Sequence, residues 1–289
     1  MMREASYYIL EKDKKVRCVL CPKQCLISEG KTGGCGVREN SEGKLYTLAY
    51  SKPVAIHVDP IEKKPLYHFH PGAQILSIGT YGCNLSCKFC QNFDISQEFE
   101  KPDFDRITEV TPEEILKICM DKGYKFVAFT YNEPSVFFEY MIDMAKLCKT
   151  EGIKTVVVSN GQINEEPLRE LIDYIDAFNI DLKSYNPEFY KKICGGEIET
   201  TKQTIRIIVE KGKHLEVTFL LIEGLNDNEK EFHELCRFLA SLDKEIVLHI
   251  SRAFPRYEMD FNPTPLWLLK NFEKIAKLNL KKIYVGNVH

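Results

Sequence analysis

The chain has no basic excess: 39 lysines and arginines stand against 42 aspartates and glutamates in 289 residues, a formal charge of −3. Phosphate backbones are bound by clustered cations, so the electrostatic case for general nucleic-acid binding is absent. Short basic runs such as Lys12–Lys15 and Lys281-Lys282 read as solvated surface. Long apolar runs are missing too. No stretch approaches the roughly 20 apolar residues that span a bilayer. The first fifteen residues are broken by Arg3, Glu4, Glu11 and Lys12, so they lack the apolar centre of a signal peptide. The expectation is a cytoplasmic protein with neither a membrane nor a nucleic-acid partner. Nor is the composition that of a disordered or fibrous chain: 44% is hydrophobic and 28% charged, enough to bury a full core.

Cysteine, by contrast, is plentiful, with eleven residues. The cytoplasm keeps thiols reduced, so clustered cysteines read as metal ligands before disulfides. Cys119, Cys148, Cys194 and Cys236 are scattered. Of these, Cys119, Cys148 and Cys236 fall in helical patterns and read as buried, inert thiols. Cys194 precedes Gly195-Gly196 and its role stays open. The other seven form two groups.

From about residue 75, short β-rich runs alternate with amphipathic helical patterns, which indicates βαβ units and a parallel sheet. The expected strands cover 75–79, 126–130, 155–159, 178–182, 216–222, 246–250 and 283–285. Between the first two, Thr111-Pro112-Glu113-Glu114 offers an N-cap, a first-turn proline and early carboxylates. Sharing the 75–289 segment among seven strands gives roughly 31 residues per unit, near that of an eight-unit barrel of ~250 residues. A partial or full β/α barrel fits, with a doubly wound sheet as the alternative. Either fold puts its chemistry just after the strands, at the carboxyl edge of the sheet. Polar residues recur there: Asn132-Glu133, Asn160, Asp181 to Lys183, Ser251-Arg252 and Asn287. Residues 1–74 lack this rhythm. They carry an expected hairpin around 40–43 and a proline-punctuated run over 53–71, and read as an appendage packed on a 75–289 core.

One motif decides the reading. Cys83-x-x-x-Cys87-x-x-Cys90 puts three thiolates on a single loop directly after a strand. A [4Fe–4S] cluster ordinarily takes four cysteines, so three leave one iron open to a substrate or cofactor. A structural zinc needs a fourth ligand, and the nearest candidates are ill placed: Cys119 is helical, and His68 and His70 precede the strand.

The run Gly82 to Asn92, with an aromatic before its last cysteine, resembles the cluster loop of the radical S-adenosylmethionine (radical SAM) superfamily. Within it, the chain is similar to the pyruvate formate-lyase activating enzyme-like branch. The amino-terminal Cys-Pro segment, Asp59 to His68 and Tyr284 to Asn287 resemble the so-called AmmeMemoRadiSam-system radical SAM enzymes. The resemblance implies a partial (β/α)6-type TIM barrel with an N-terminal cysteine-containing appendage. It implies a [4Fe–4S] cluster on Cys83, Cys87 and Cys90, and S-adenosylmethionine cleaved reductively to a 5′-deoxyadenosyl radical that abstracts hydrogen. The family's Gly-Gly-Glu-Pro segment falls on Tyr131 to Pro134, so Asn132 and Glu133 become cofactor contacts without the usual glycines. Ser159 and Asn160 match its ribose and carboxylate region. Asp181 and Lys183 match the Asp-x-Lys pattern of activating enzymes. Leu221 to Gly224 and Val285-Gly286 match adenine-packing strands, and Phe89 is expected near the adenine. An electron donor such as flavodoxin or ferredoxin and a protein or peptide substrate are the implied partners.

Other features sit beside this reading. Cys18, Cys21, Cys25 and Cys35, the last in a glycine-rich stretch, offer four ligands for a structural zinc or a second iron–sulfur cluster, or else pack as reduced thiols. His249 and Arg252 end the sixth strand. The histidine reads more readily as a satisfied core residue, and the arginine as a partner for a carboxylate. Tyr67, His68 and His70 are expected at the mouth of the barrel. Competing functions are radical modification of a small molecule, an iron–sulfur electron carrier and a zinc-stabilised interaction module. The last two do not account for polar residues at successive strand ends.

Overall fold

The computed structural model describes residues 3–288. Its amino-terminal part is built from β1 (Arg3–Glu4), β2 (Tyr8–Leu10), β3 (Val16–Cys18), β4 (Leu26–Ile27), β5 (Arg38–Ser41) and β6 (Lys44–Thr47). They pair antiparallel in two three-stranded sheets, β1-β6-β5 and β2-β3-β4. The hairpin expected around 40–43 is present. Glu42 and Gly43 have φ of 55° and 78°, the paired left-handed conformation whose twist matches that of the flanking strands.

The main sheet holds β7 (Ala55–Pro60), β8 (Gln74–Gly79), β9 (Phe126–Phe129), β10 (Lys154–Ser159), β11 (Ala177–Asp181), β12 (His214–Leu221), β13 (Val247–Arg252) and β14 (Lys282–Gly286). These eight strands lie side by side in chain order. β8 through β14 run parallel, and β7 pairs antiparallel to β8 on one edge. Six helices make the crossovers: α1 (Pro112–Lys122), α2 (Phe138–Thr150), α3 (Glu165–Ile172), α4 (Ile198–Glu210), α5 (Glu229–Leu242) and α6 (Leu266–Lys277). A doubly wound sheet reverses its strand order at a switch point. Here the order never reverses, so right-handed crossovers place every helix on one face. The result is a partial barrel of six β/α units and a closing strand, open between β14 and β7. β7 belongs by sequence to the 1–74 segment yet extends this sheet. Local chemistry sets the helix starts as expected: Thr111 and Glu114 form a capping box at α1, with Pro112 in its first turn.

Side chains alternate across each strand. Leu76, Ile78, Val127, Phe129, Phe178, Ile180, Val217 and Phe219 point to the helices and join the main core. The opposite face mixes aliphatic residues with small and polar ones, of which Ser77, Ala128, Asn179, Glu216 and His249 are all buried. Residues following β7 fill the lower half of this interior. Ile61 and Leu66 pack against Ile75, Ala128, Val156 and Ala177. Asn179 Nδ2 donates to the Pro65 carbonyl at 2.8 Å. The backbone N–H groups of Tyr67 and His68 donate to the Glu216 carboxylate at 3.0 and 2.7 Å. Tyr67 and His68 therefore lie at the amino-terminal ends of the strands, not at the mouth. His70 packs on Phe126, the first residue of β9, at the same end. With that end plugged, the open part of the interior lies at the carboxyl edge. Among the described residues no helix is long and apolar enough to cross a membrane.

Candidate active site

β8 delivers the chain into the Cys83–Cys90 loop, and the loop is held on two sides. On one side, Gly82 has φ 98°, and a Cβ there would lie 2.6 Å from Val37 Cγ1 and 2.7 Å from the Cys35 carbonyl oxygen. Only glycine fits such a position. Asn132 fastens the same turn: its Oδ1 accepts from Thr80 N at 3.1 Å, and its Nδ2 donates to the Gly82 carbonyl at 2.7 Å. On the other side, Ser86 N and Lys88 N donate to the carbonyls of Cys194 and Ile193. The approach is close: a Cβ on Gly195, whose φ is 68°, would sit 2.3 Å from Ser86 Oγ, and one on Gly196 2.3 Å from Leu85 Cδ2.

The loop forms one wall of a cavity of about 350 Å3. Cys83, Cys87, Cys90 and Phe89 line it together with Glu133, Ser159, Asn160, Asp181 and Lys183. Leu85 N donates to Cys83 Sγ at 3.4 Å, and Asn160 Nδ2 lies 3.7 Å from the same sulfur. Burial, reinforced by the Glu133 carboxylate, raises the Cys83 thiol well above its ordinary range. A hydrogen bond shared with Cys194 holds the Cys87 thiol below its usual value, and the Lys183 cation acts in the same direction. Among the described residues no three metal-ligating side chains converge on one ion. A cubane places each cysteine on a different iron, so convergence is not what such a loop requires.

Across from the loop, the strand ends carry the polar wall. Glu133 is buried and links two of them: Ser159 Oγ donates to its Oε1 at 2.8 Å and Asn160 N to its Oε2 at 2.8 Å. Burial raises the Glu133 pKa against these donors. Asn160 bridges to the loop by donating from Nδ2 to Asn84 Oδ1 at 2.9 Å. Lys183 Nζ lies 2.9 Å from Asp181 Oδ2. Burial would lower the lysine pKa, but Asp181 and the nearby thiols outweigh it and raise it well above the usual range. An ammonium and a carboxylate thus stand side by side in the cavity wall.

The structure brings most of the expected residues to this one place. Asn132 lines the cavity too, but its amide is committed to the loop, since Nδ2 also reaches Thr80 Oγ1 at 3.2 Å. Gly286, His249 and Arg252 lie outside the lining, as do Val285 and the whole 221–224 segment expected to pack the adenine, of which Leu221 joins the main core and only Ile222 packs near Phe89. Gly286 ends β14 with no atom within 4 Å of an added Cβ. His249 Nε2 meets Glu216 Oε2 at 2.6 Å, below the cavity. Arg252 Nε donates to the Thr264 carbonyl at 2.9 Å, with its guanidinium over Phe254. Sequence reasoning missed Tyr131 and Lys64. Both line the cavity, Tyr131 has φ 73° where the family's segment carries glycine, and Lys64 Nζ sits 4.5 Å from the Tyr131 ring centroid. Asp59 holds the pair, 2.8 Å from Lys64 Nζ and 2.9 Å from Tyr131 Oη. Burial raises the Asp59 pKa, but these two bonds prevail and bring it to about 2. The visible signal was the run Asp59 to Lys64 itself. Cys194 was flagged only by the glycines after it.

Comparison with known proteins agrees with this geometry. The model of the radical SAM superfamily matches residues 77–239. An uncharacterized protein of Methanocaldococcus jannaschii is 40% identical over 99% of this chain and 86% of its own length. The pyruvate formate-lyase 1-activating enzyme of Escherichia coli is 24% identical over 58% of this chain and 69% of its own. The crystal structure of Streptococcus suis SuiB bound to S-adenosylmethionine superposes with a TM-score of 0.58 at 17% identity, over 74% of this chain and 52% of that one, a likeness of fold. With its three-cysteine loop after the first parallel strand and more than half its length matched, the chain belongs to the radical SAM superfamily, enzymes that use a [4Fe–4S] cluster and S-adenosylmethionine.

Proposed function

We propose that this enzyme binds S-adenosylmethionine against a cluster held by Cys83, Cys87 and Cys90, and directs hydrogen abstraction at a protein or peptide. The observation that carries the reading is the single cavity shared by the three cysteines, Phe89, Glu133, Asn160, Asp181 and Lys183. The donor set suits the cluster: three buried or half-buried thiols on one loop, with an N–H aimed at Cys83 Sγ. When bound, the cluster supplies the electron that cleaves S-adenosylmethionine to a 5′-deoxyadenosyl radical.

The chain's own residues bind and orient. The Asp181–Lys183 pair offers opposite charges to a ligand whose methionine end carries both an amino group and a carboxylate. Glu133 fixes Ser159 and Asn160, so the second wall of the site is set before the ligand enters. Phe89, packed with Phe189 and Ile222, gives an apolar surface to an adenine ring. Leu85 N and Asn160 Nδ2 direct partial positive charge at sulfur, which favours the reduced state of whatever Cys83 ligates. Plugging of the amino-terminal end by residues 61–69 turns access to the cavity toward the carboxyl edge. Support for a protein target comes from the activating-enzyme relative, named for its action on pyruvate formate-lyase. A flavodoxin or ferredoxin is the proposed electron donor. Residues 1–74 are proposed to act as a brace for the 75–289 core, since Val37 and the Cys35 carbonyl wall the turn at Gly82.

Anaerobic reconstitution with iron and sulfide, followed by reduction with dithionite, tests the first step. The expected product is 5′-deoxyadenosine, abolished in Cys83→Ala. A fully loaded, reduced protein that leaves S-adenosylmethionine intact refutes the reading. Deuterium reaching the product from a labelled metabolite, and from no protein, overturns the choice of substrate.

A further inference from the structure

The four amino-terminal cysteines surround a cavity of their own. Cys18, Cys21, Cys25 and Cys35 all line it, with Lys23, Arg38 and Asn84. Its volume is about 20 Å3, and about 10–15 Å3 holds one water-sized species. A space of that size suits a single ion. The four side chains do not converge on one point as they stand, but each sulfur lies one rotatable bond from its backbone, so a bound ion would draw them together by rotation about that bond, and Gly34 N already donates to Cys25 Sγ at 3.4 Å. Glycine-rich backbone with N–H groups aimed at sulfur is the usual setting of a thiolate metal site.

Arg38 supplies an independent observation. It is 1% exposed, and only one of its nitrogens makes an ion pair, Nη2 with Glu139 Oε2 at 2.8 Å. Its Nε and Nη1 are buried without a hydrogen-bond partner among the described residues. Buried guanidinium donors are costly to leave unpaired, and these border a cavity ringed by sulfur. Four thiolates round a divalent ion form an anionic centre, which two such donors and the Lys23 ammonium would offset. Tetrahedral tetrathiolate coordination of one ion selects zinc.

We propose that Cys18, Cys21, Cys25 and Cys35 hold a single zinc ion, with Arg38 donating to its sulfurs and the site bracing the loop that carries Cys83. The link to that loop is direct. Asn84 lines the zinc cavity while accepting from Asn160 in the active site, and the Cys35 carbonyl abuts Gly82.

The test uses the full chain with Cys83→Ala, Cys87→Ala and Cys90→Ala, so its outcome does not depend on the radical chemistry. Elemental analysis is expected to find about one zinc per chain, and exchange with cobalt(II) to give the thiolate charge-transfer and tetrahedral ligand-field bands. Absence of stoichiometric metal together with absence of those bands overturns the proposal; so does iron in place of zinc, with or without sulfide. The arginine is tested by comparing Arg38→Met with Glu139→Gln against Glu139→Gln alone. The double variant is expected to bind cobalt(II) about tenfold or more weakly, and equal affinity removes Arg38 from the site.

Discussion

Glu216→Gln tests the account of how the barrel is closed from below. Glu216 is 0% exposed, and its carboxylate accepts four hydrogen bonds: from Tyr67 N and His249 Nε2 on Oε2, and from His68 N and His214 Nε2 on Oε1. An amide keeps one oxygen, so its NH2 end faces a backbone N–H and a histidine nitrogen, neither of which can pair with it while the histidine carries its proton on Nε2. Losing two charge-assisted bonds costs about 3–6 kcal/mol at roughly 1.5–3 kcal/mol each. The pKa gives an independent figure. Burial raises it, but the two histidines and two backbone N–H groups prevail and lower it from 4.5 to about 2. That difference corresponds to about 3 kcal/mol. Because the folded value lies below the unfolded one, this contribution is complete above pH 4.5 and disappears as pH falls through about 2. Urea denaturation on a Cys83→Ala background keeps cluster loss out of the measurement. The expected result near neutrality is a loss of about 3 kcal/mol with the m-value unchanged. A loss below about 1 kcal/mol, or acid destabilisation equally steep in the Gln variant, would refute the reasoning.

Three further outcomes are expected. Gly82→Ala combines a left-handed φ with a collision on the Cys35 carbonyl and is expected to destabilise by about 2–4 kcal/mol, with iron per chain after reconstitution falling in parallel; normal iron loading would count against the close approach. Asn132→Ala removes the clamp on Thr80 and Gly82 and is expected to cost about 2 kcal/mol and broaden the cluster's electron paramagnetic resonance signal, with 5′-deoxyadenosine formation reduced but not abolished. Lys183→Met leaves the cysteines in place, so iron content is expected to hold while S-adenosylmethionine affinity drops about tenfold or more, a loss of roughly 1.5–3 kcal/mol for a charged hydrogen bond; unchanged affinity in calorimetry would remove Lys183 from the binding wall.

What one stretch of chain decides could be read without coordinates. The Cys83–Cys90 loop carries its meaning in spacing alone, because three thiolates on eight residues can wrap a cluster whatever surrounds them. The seven parallel strands came through within a residue or two, since runs such as 154–159 place apolar residues on both faces and are bounded by turn residues, whereas β7 and the short amino-terminal strands outside the 40–43 hairpin did not. The capping box at Thr111 is equally local.

Other features depend on who meets whom across the fold. His249 sits at a strand's carboxyl end in sequence, yet its ring points to Glu216, because inward-facing residues of a barrel stack in layers and only the upper layer reaches the cavity. Residues 61–69 looked like loop and became the barrel's floor, which required Glu216, 148 residues beyond His68, to collect their N–H groups. Nothing in the run of neighbours singles out Arg38, whose burial beside unpartnered donors depends on Glu139, 101 residues away, pairing with one of its nitrogens in the core. By itself, then, the sequence determined the kind of chemistry and the order of the elements, which follow from local spacing and periodicity. Only tertiary structure decided which polar residues share the cavity and which seal it, since burial and pairing over long separations are settled by packing and not by any run of neighbours.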